Sequence, residues 1–184
     1  MRAILFSLAV LSTNVAAEVA NVAGVQFQPT LAVQNQQLQL DGAGLLRWKG
    51  VFKVYAAGLY REDPKAGFDL DSNETQALEI EYLRAVSAQG FVDATRLGLQ
   101  RTLPAGESIS QWESSLAPFL AAYQGVVKGD RYQLAVTETF FTLALNGQEL
   151  YRSEDTALGR RLLGVWLDER SLSPSLREAL LASN

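Results

Sequence analysis

The sequence predicts an α+β domain with a large antiparallel sheet and helices packed on one side of it. Strands and helices are segregated along the chain, because a strand-rich first part is followed by two helices, a hairpin and two further helices. The dipeptide Asn146–Gly147 lies between two alternating runs, and this is the strongest short signal for a tight β-hairpin. One face of such a sheet can stay open, which leaves room for a ligand.

The first seventeen residues predict a secretory signal peptide. They read MRAILFSLAVLSTNVAA, with one basic residue, an apolar run over residues 3–10 and small side chains at the end. The apolar run is shorter than the roughly 20 residues that span a bilayer. A buried N-terminal element is the alternative, although no helix cap or turn signal supports it. We therefore expect residues 18–184 to form one domain that is periplasmic or secreted.

The strand prediction centres on residues 45–60, which we expect to form one long strand. Gly50 and Gly58 are expected to be bulges or points of close approach within it. Shorter strands are predicted over residues 24–44, around a turn at Asn35–Gln36, and over residues 77–86.

Four helices are predicted, because apolar residues recur near helical spacing behind capping residues. Two of them follow the strand at residues 77–86, and the other two follow the hairpin. They are expected to begin at Ser87, near Ser108, at Asp155 or Thr156, and at Ser173 with Pro174 in the first helical position.

The composition excludes several classes of function. The chain has no cysteine and no histidine, which excludes disulfides, thiol nucleophiles, imidazole bases and the usual zinc sites. We therefore expect no metal and no cofactor. A net charge of −4 without a basic run argues against nucleic-acid binding. No segment after the signal peptide is apolar for long enough to predict a transmembrane helix.

Four segments together resemble the bacterial chalcone isomerase-like family. They are LDGAGLLRWKGVFKVYAAGLY, VVKGD, LNGQEL and LLGVWLDERSLSPSLREALL, and the resemblance covers about residues 24–181. It implies an open-faced β-sandwich with a ligand cleft between the sheet and its helices. The plant enzymes that share this fold cyclise a chalcone to a flavanone, whereas related proteins of the same fold bind a fatty acid and catalyse nothing.

The resemblance implies a role for two residues. Arg47 looks like the arginine that follows the Gly-Ala-Gly turn, and Tyr55 lies where the plant enzymes have a threonine. In the enzymes that arginine stabilises a phenolate and the developing enolate, while in the fatty-acid binders it holds a carboxylate together with a tyrosine. Residues 83–98 lack the tyrosine and asparagine that the plant enzymes supply there. This departure favours binding over catalysis, and we assign no catalytic residue.

Spacing independently predicts that Arg47 and Tyr55 share a site. They are eight residues apart, so they point the same way if the strand is unbroken. Lys49 and Lys53 would share that face, and we expect them to be solvated. Trp48, Phe52 and other aromatic residues are expected to belong to the core.

The sequence thus favours a non-catalytic protein that binds a small hydrophobic or amphipathic ligand. We expect this ligand to be a carboxylate or phenolate such as a fatty acid, held by Arg47 and Tyr55. One alternative is an isomerase that acts on chalcone-like phenolic ketones. The other is a structural or partner-binding module, which predicts an exposed apolar patch.

Overall fold

The computed structural model describes residues 19–182, so the predicted signal peptide at residues 1–17 lies outside the described residues. Nine strands and four helices are found in this part of the chain. The strands are β1 (Ala20–Val22), β2 (Val25–Phe27), β3 (Thr30–Val33), β4 (Gln36–Trp48), β5 (Phe52–Arg61), β6 (Gln76–Tyr82), β7 (Arg131–Val136), β8 (Phe141–Leu145) and β9 (Gln148–Ser153). The helices are α1 (Ala88–Thr102), α2 (Ile109–Ala121), α3 (Thr156–Leu167) and α4 (Pro174–Leu180).

The sheet is antiparallel throughout and contains seven strands in chain order, from β3 to β9. Successive residues of a strand face opposite sides of a sheet. Ala57 and Leu59 belong to the main core with the helices, whereas Ala56 packs on the other side with Phe27 of the small β1–β2 hairpin. The predicted α+β class, with a large antiparallel sheet and helices on one side, is confirmed.

The single long strand predicted over residues 45–60 is wrong, because β4 and β5 form a hairpin there. Lys49 and Gly50 have φ values of 51° and 74°, and the N–H of Val51 donates to the carbonyl of Trp48 at 3.3 Å. Positive φ at both central residues defines a tight reversing turn. Alternation continues across a hairpin as it does along one strand, so the apolar pattern could not locate this turn.

The prediction for Gly58 is confirmed. A Cβ atom at this position would lie only 2.7 Å from Cδ1 of Phe27, so the ring packs directly on the backbone of β5. This close approach fixes the β1–β2 hairpin against the face of the sheet that the helices leave open.

The predicted helices and the predicted hairpin are confirmed. The side chains of Ser87, Asp155 and Ser173 each accept a hydrogen bond from a backbone N–H in the first turn of their helix. Asn146 and Gly147 both have positive φ at the β8–β9 turn. No helix within residues 19–182 is both long and apolar enough to cross a membrane.

A candidate ligand-binding cavity

A cavity of about 200 Å³ lies between the helix-facing side of the sheet and helices α1, α2, α3 and α4. Strands β4 to β8 form its floor. Its apolar wall is formed mainly by Leu46, Val54, Ile80, Val86, Phe91, Phe119, Leu134, Leu143, Val165 and Leu176. This wall can bury the hydrocarbon part of a ligand.

Two local features shape the lining of the cavity. The pairing of β4 and β5 shifts register between Leu46 and Arg47, so Val54 and Tyr55 both line the cavity. Helix α1 contributes Gly90, Phe91, Ala94 and Thr95 to the lining, and two of these four residues are small. The bulge in β5 thus directs two adjacent side chains to the cavity.

Within residues 19–182, four tyrosines line the cavity, and their rings form one aromatic group with Phe91. Tyr55 and Tyr82 are direct partners on β5 and β6, with ring centroids 5.6 Å apart. Tyr132 of β7 lies 6.2 Å from Tyr82, and Tyr123 follows α2 and stacks on Phe91 at 5.3 Å. Edge-to-face and stacked contacts of this kind hold aromatic rings in fixed positions.

The hydroxyl groups of these tyrosines differ in the number of hydrogen bonds that they form with other residues of the protein. The Tyr132 hydroxyl donates a hydrogen bond to the Gln124 carbonyl at 2.9 Å and accepts one from the Gln124 N–H at 2.8 Å. Tyr123 shares a hydrogen bond of 3.0 Å with Thr95. These two hydroxyls therefore already have hydrogen-bond partners within the protein.

The Tyr55 and Tyr82 hydroxyls each keep a proton that no hydrogen bond within residues 19–182 uses. Nε1 of Trp166 donates to the Tyr55 oxygen at 2.8 Å, which leaves the phenolic proton of Tyr55 free to be donated. The Tyr82 hydroxyl has no hydrogen-bond partner within residues 19–182. The cavity therefore presents two neighbouring donors beside an apolar wall.

The electrostatics of the cavity are those of a neutral site. Among residues 19–182, no charged side chain lines it. Burial raises the pKa of Tyr55, Tyr82 and Tyr123 well above the usual range, so these phenols stay protonated at neutral pH. They can donate hydrogen bonds, but they are poor proton acceptors. A ligand carbonyl or an uncharged carboxyl group suits this site, whereas a buried anion would lack a countercharge.

The structure separates the two residues predicted to share a site. Tyr55 lines the cavity, as expected for a ligand-binding residue. Arg47 is exposed at the tip of β4 and lines no part of the cavity. Because it follows Leu46, which faces the cavity, strand alternation directs Arg47 to the opposite side. Its role in ligand binding stays a prediction, but the shared strand on which that prediction rested does not exist.

The residues around the β4–β5 turn also bear on two other predictions. Lys49 and Lys53 are exposed, which confirms their predicted contact with solvent. Trp48 and Phe52 were expected in the core, and this is wrong, because they are 54% and 55% exposed. Both lie beside the β4–β5 turn, at the end of β4 and the start of β5.

Sequence reasoning missed Tyr82 as a site residue. It lies near the end of the predicted strand at residues 77–86, where its spacing looks like that of any half-buried strand residue. Its position beside Tyr55 depends on the pairing register of β5 and β6, which has no signal in either segment alone. The side-chain contact between Trp166 and Tyr55 likewise joins residues 111 positions apart.

Comparisons with known proteins agree with this architecture. A family model described as chalcone isomerase-like matches residues 19–182. The crystal structure of a fatty-acid binding protein from Arabidopsis thaliana is similar, with a TM-score of 0.68 and 14% sequence identity. The similarity covers 89% of this chain and 96% of that chain, and at this identity it shows a shared fold. A search of the curated proteins finds no match.

Proposed function

The chain belongs to the chalcone isomerase-like family, and we propose that it binds a small amphipathic molecule in its cavity without converting it. The ligand class is a short fatty acid, with its hydrocarbon part against the apolar wall and its carboxyl group at Tyr55 and Tyr82. We also propose that the protein acts in the periplasm or outside the cell, because residues 1–17 have the pattern of a signal peptide.

The proposal rests on the Tyr55 and Tyr82 hydroxyls, which can each donate a hydrogen bond to a ligand beside the apolar wall. Burying hydrocarbon contributes roughly 25 cal/mol per Å² of area removed from water. A neutral hydrogen bond adds roughly 0.5–1.5 kcal/mol and fixes the orientation of the ligand. The Arabidopsis protein with the same fold is described as a fatty-acid binding protein, which supports this ligand class.

The size of the cavity limits what it can enclose. A protein cavity of about 150 Å³ holds a benzene molecule, so a cavity of about 200 Å³ encloses a ligand on the order of ten non-hydrogen atoms. A short acyl chain or a single-ring compound fits within this volume. A longer acyl chain would have to extend beyond the cavity. A chalcone has two aromatic rings and is too large to be enclosed with the side chains in their present conformations.

The chemistry of the lining supports binding without catalysis. Proton transfer needs a group whose pKa lies near the working pH. The raised pKa values of Tyr55 and Tyr82 move both phenols away from that range. Cyclisation of a chalcone would also need a cation against the phenolate, and Arg47 lies outside the cavity. The isomerase alternative therefore has no support from the residues that line this site.

The test is a calorimetric titration of octanoic acid into the wild type and two matched variants at about pH 5, where more of the acid is uncharged than at neutral pH. Tyr82→Phe removes the unused hydroxyl in the cavity. Tyr151→Phe removes a hydroxyl that also has no hydrogen-bond partner within residues 19–182 but lies outside the cavity. We expect Tyr82→Phe to weaken binding about threefold to tenfold, the equivalent of one neutral hydrogen bond, and Tyr151→Phe to bind like the wild type.

Two results would count against the proposal. If the wild type bound none of hexanoic, octanoic and dodecanoic acid, the fatty-acid class would be wrong. If both Tyr→Phe variants lost the same affinity, the effect would come from general loosening of the core and not from a hydroxyl in the cavity.

A further inference from the structure

One end of the sheet collects several loops that lie far apart in sequence. The register places the start of β5 beside the end of β6, the start of β7 and the end of β8. The loops at residues 47–53, 83–87, 124–130 and 146–147 therefore lie together. We refer to these four loops as the basic end.

Exposed cations without acidic partners are concentrated at the basic end. There are five of them, and none forms an ion pair within residues 19–182: Arg47, Lys49, Lys53, Arg84 and Lys128. The four loops contain a single acidic residue, Asp130, whose carboxylate accepts hydrogen bonds from Val127 N–H and Asn146 Nδ2. The chain as a whole has a net charge of −4. A positive end thus stands out on an acidic protein.

Exposed apolar side chains are concentrated in the same place. Trp48, Val51 and Phe52 at the β4–β5 turn are 54%, 70% and 55% exposed, and Val127 is 62% exposed. The Trp48 and Phe52 rings are 6.0 Å apart, and Nζ of Lys49 lies 4.4 Å from the Trp48 ring centroid. The turn therefore has an apolar and aromatic tip with cations around it.

We propose that the basic end docks on an anionic lipid bilayer, with Trp48, Val51 and Phe52 entering the head-group region. Tryptophan is favoured at the boundary between lipid and water. Lysine and arginine near an anionic leaflet each strengthen binding about fivefold. A stable protein interface needs roughly 800 Å² from each partner, and a narrow hairpin turn with three exposed apolar side chains suits insertion into lipid better.

The basic end adjoins the cavity. Leu46 and Val54 line the cavity and directly flank residues 47–53, and the beginning of α1, which follows residues 83–87, contributes Gly90 and Phe91. Docking would therefore hold the cavity next to the bilayer, where an amphipathic ligand could pass between the two. This transfer of ligand rests on the proposed function, whereas the docking itself does not.

Vesicle flotation tests the docking with a matched pair of double variants. One pool of vesicles contains phosphatidylcholine alone, and the other contains phosphatidylcholine with phosphatidylglycerol. The basic-end variant is Lys49→Glu with Val51→Asp. The control is Lys65→Glu with Leu97→Asp, which makes the same change of net charge at exposed residues outside the four loops.

We expect the wild type and the control variant to float with the anionic vesicles and not with the neutral ones. The basic-end variant should lose at least tenfold in partitioning, because one cation is reversed and a charge is placed at the apolar tip. Binding of the wild type should also fall in about 1 M salt, where charges are screened within about 3 Å. A blue shift of tryptophan fluorescence on anionic vesicles should accompany binding, since Trp48 leaves water.

The docking proposal is overturned if the wild type ignores anionic vesicles, if it binds neutral vesicles equally well, or if the control variant loses as much as the basic-end variant. A titration with octanoic acid in the absence of vesicles tests the proposed function independently of the docking. The basic-end variant should bind octanoic acid like the wild type, because Lys49 and Val51 do not line the cavity.

Discussion

The affinity for a fatty acid should fall as the pH rises, and this follows from the absence of a cation in the cavity lining within residues 19–182. An ionised carboxylate taken into an apolar site without a countercharge costs several kcal/mol. The uncharged acid avoids that cost and can still accept a hydrogen bond from Tyr55 or Tyr82. We therefore expect the cavity to select the protonated form of the ligand.

The magnitude follows from the titration of the ligand, because burial raises the pKa values of the cavity tyrosines and keeps them protonated throughout this range. A simple carboxyl group has a pKa of about 4.3 in water. Above that pH the uncharged fraction falls about tenfold per pH unit, so the apparent dissociation constant should rise about eightyfold between about pH 5 and pH 7. The affinity therefore falls with rising pH, because the ligand ionises.

The assay is isothermal titration of octanoic acid at several pH values, with octanol as the control ligand. Octanol has the same chain length and no group that ionises in this range, so its affinity should stay constant. If the affinity for octanoic acid were equally flat, the acid would bind in its ionised form. The reasoning from a neutral cavity would then be refuted, and a cation such as Arg47 would have to be involved.

Three further predictions concern single residues. Arg47→Ala should change the affinity for octanoic acid less than twofold by titration, since Arg47 lies outside the cavity; a loss above tenfold would show that it binds the carboxylate after all. Arg61→Ala should lower the free energy of unfolding by about 3 to 5 kcal/mol in urea, because it removes a 3.1 Å ion pair from the fully buried Asp41; a change below about 1 kcal/mol would contradict this. Gly58→Val should cost about 1 to 3 kcal/mol or more in the same assay, because the new side chain would collide with Phe27; unchanged stability would mean that the β1–β2 hairpin moves aside freely.

Much of the fold could be predicted from local signals. The caps at Ser87, Asp155 and Ser173 and the turn at Asn146–Gly147 each depend on a few adjacent residues, and all four lie where the sequence placed them. The turn at Lys49–Gly50 was missed because lysine rarely adopts positive φ and carries no turn signal of its own.

The candidate site was less predictable, because it is made by pairing between segments. Tyr55 was identified, but the match with Arg47 assumed an unbroken strand. The neighbour of Tyr55 in the cavity is instead Tyr82, which comes from the next strand of the sheet. A register shift of one residue decides which side chains face the cavity, and alternation within one segment contains no information about register.

A crystal structure of the protein with octanoic acid at about pH 5 would show whether the tyrosine hydroxyls of the cavity bind the acid. We predict ligand density inside the cavity, with the alkyl chain against Phe119 and Leu143 and a carboxyl oxygen within hydrogen-bond distance of the Tyr55 or Tyr82 hydroxyl. An empty cavity, or a ligand bound only at Arg47 on the exposed tip of β4, would contradict the account.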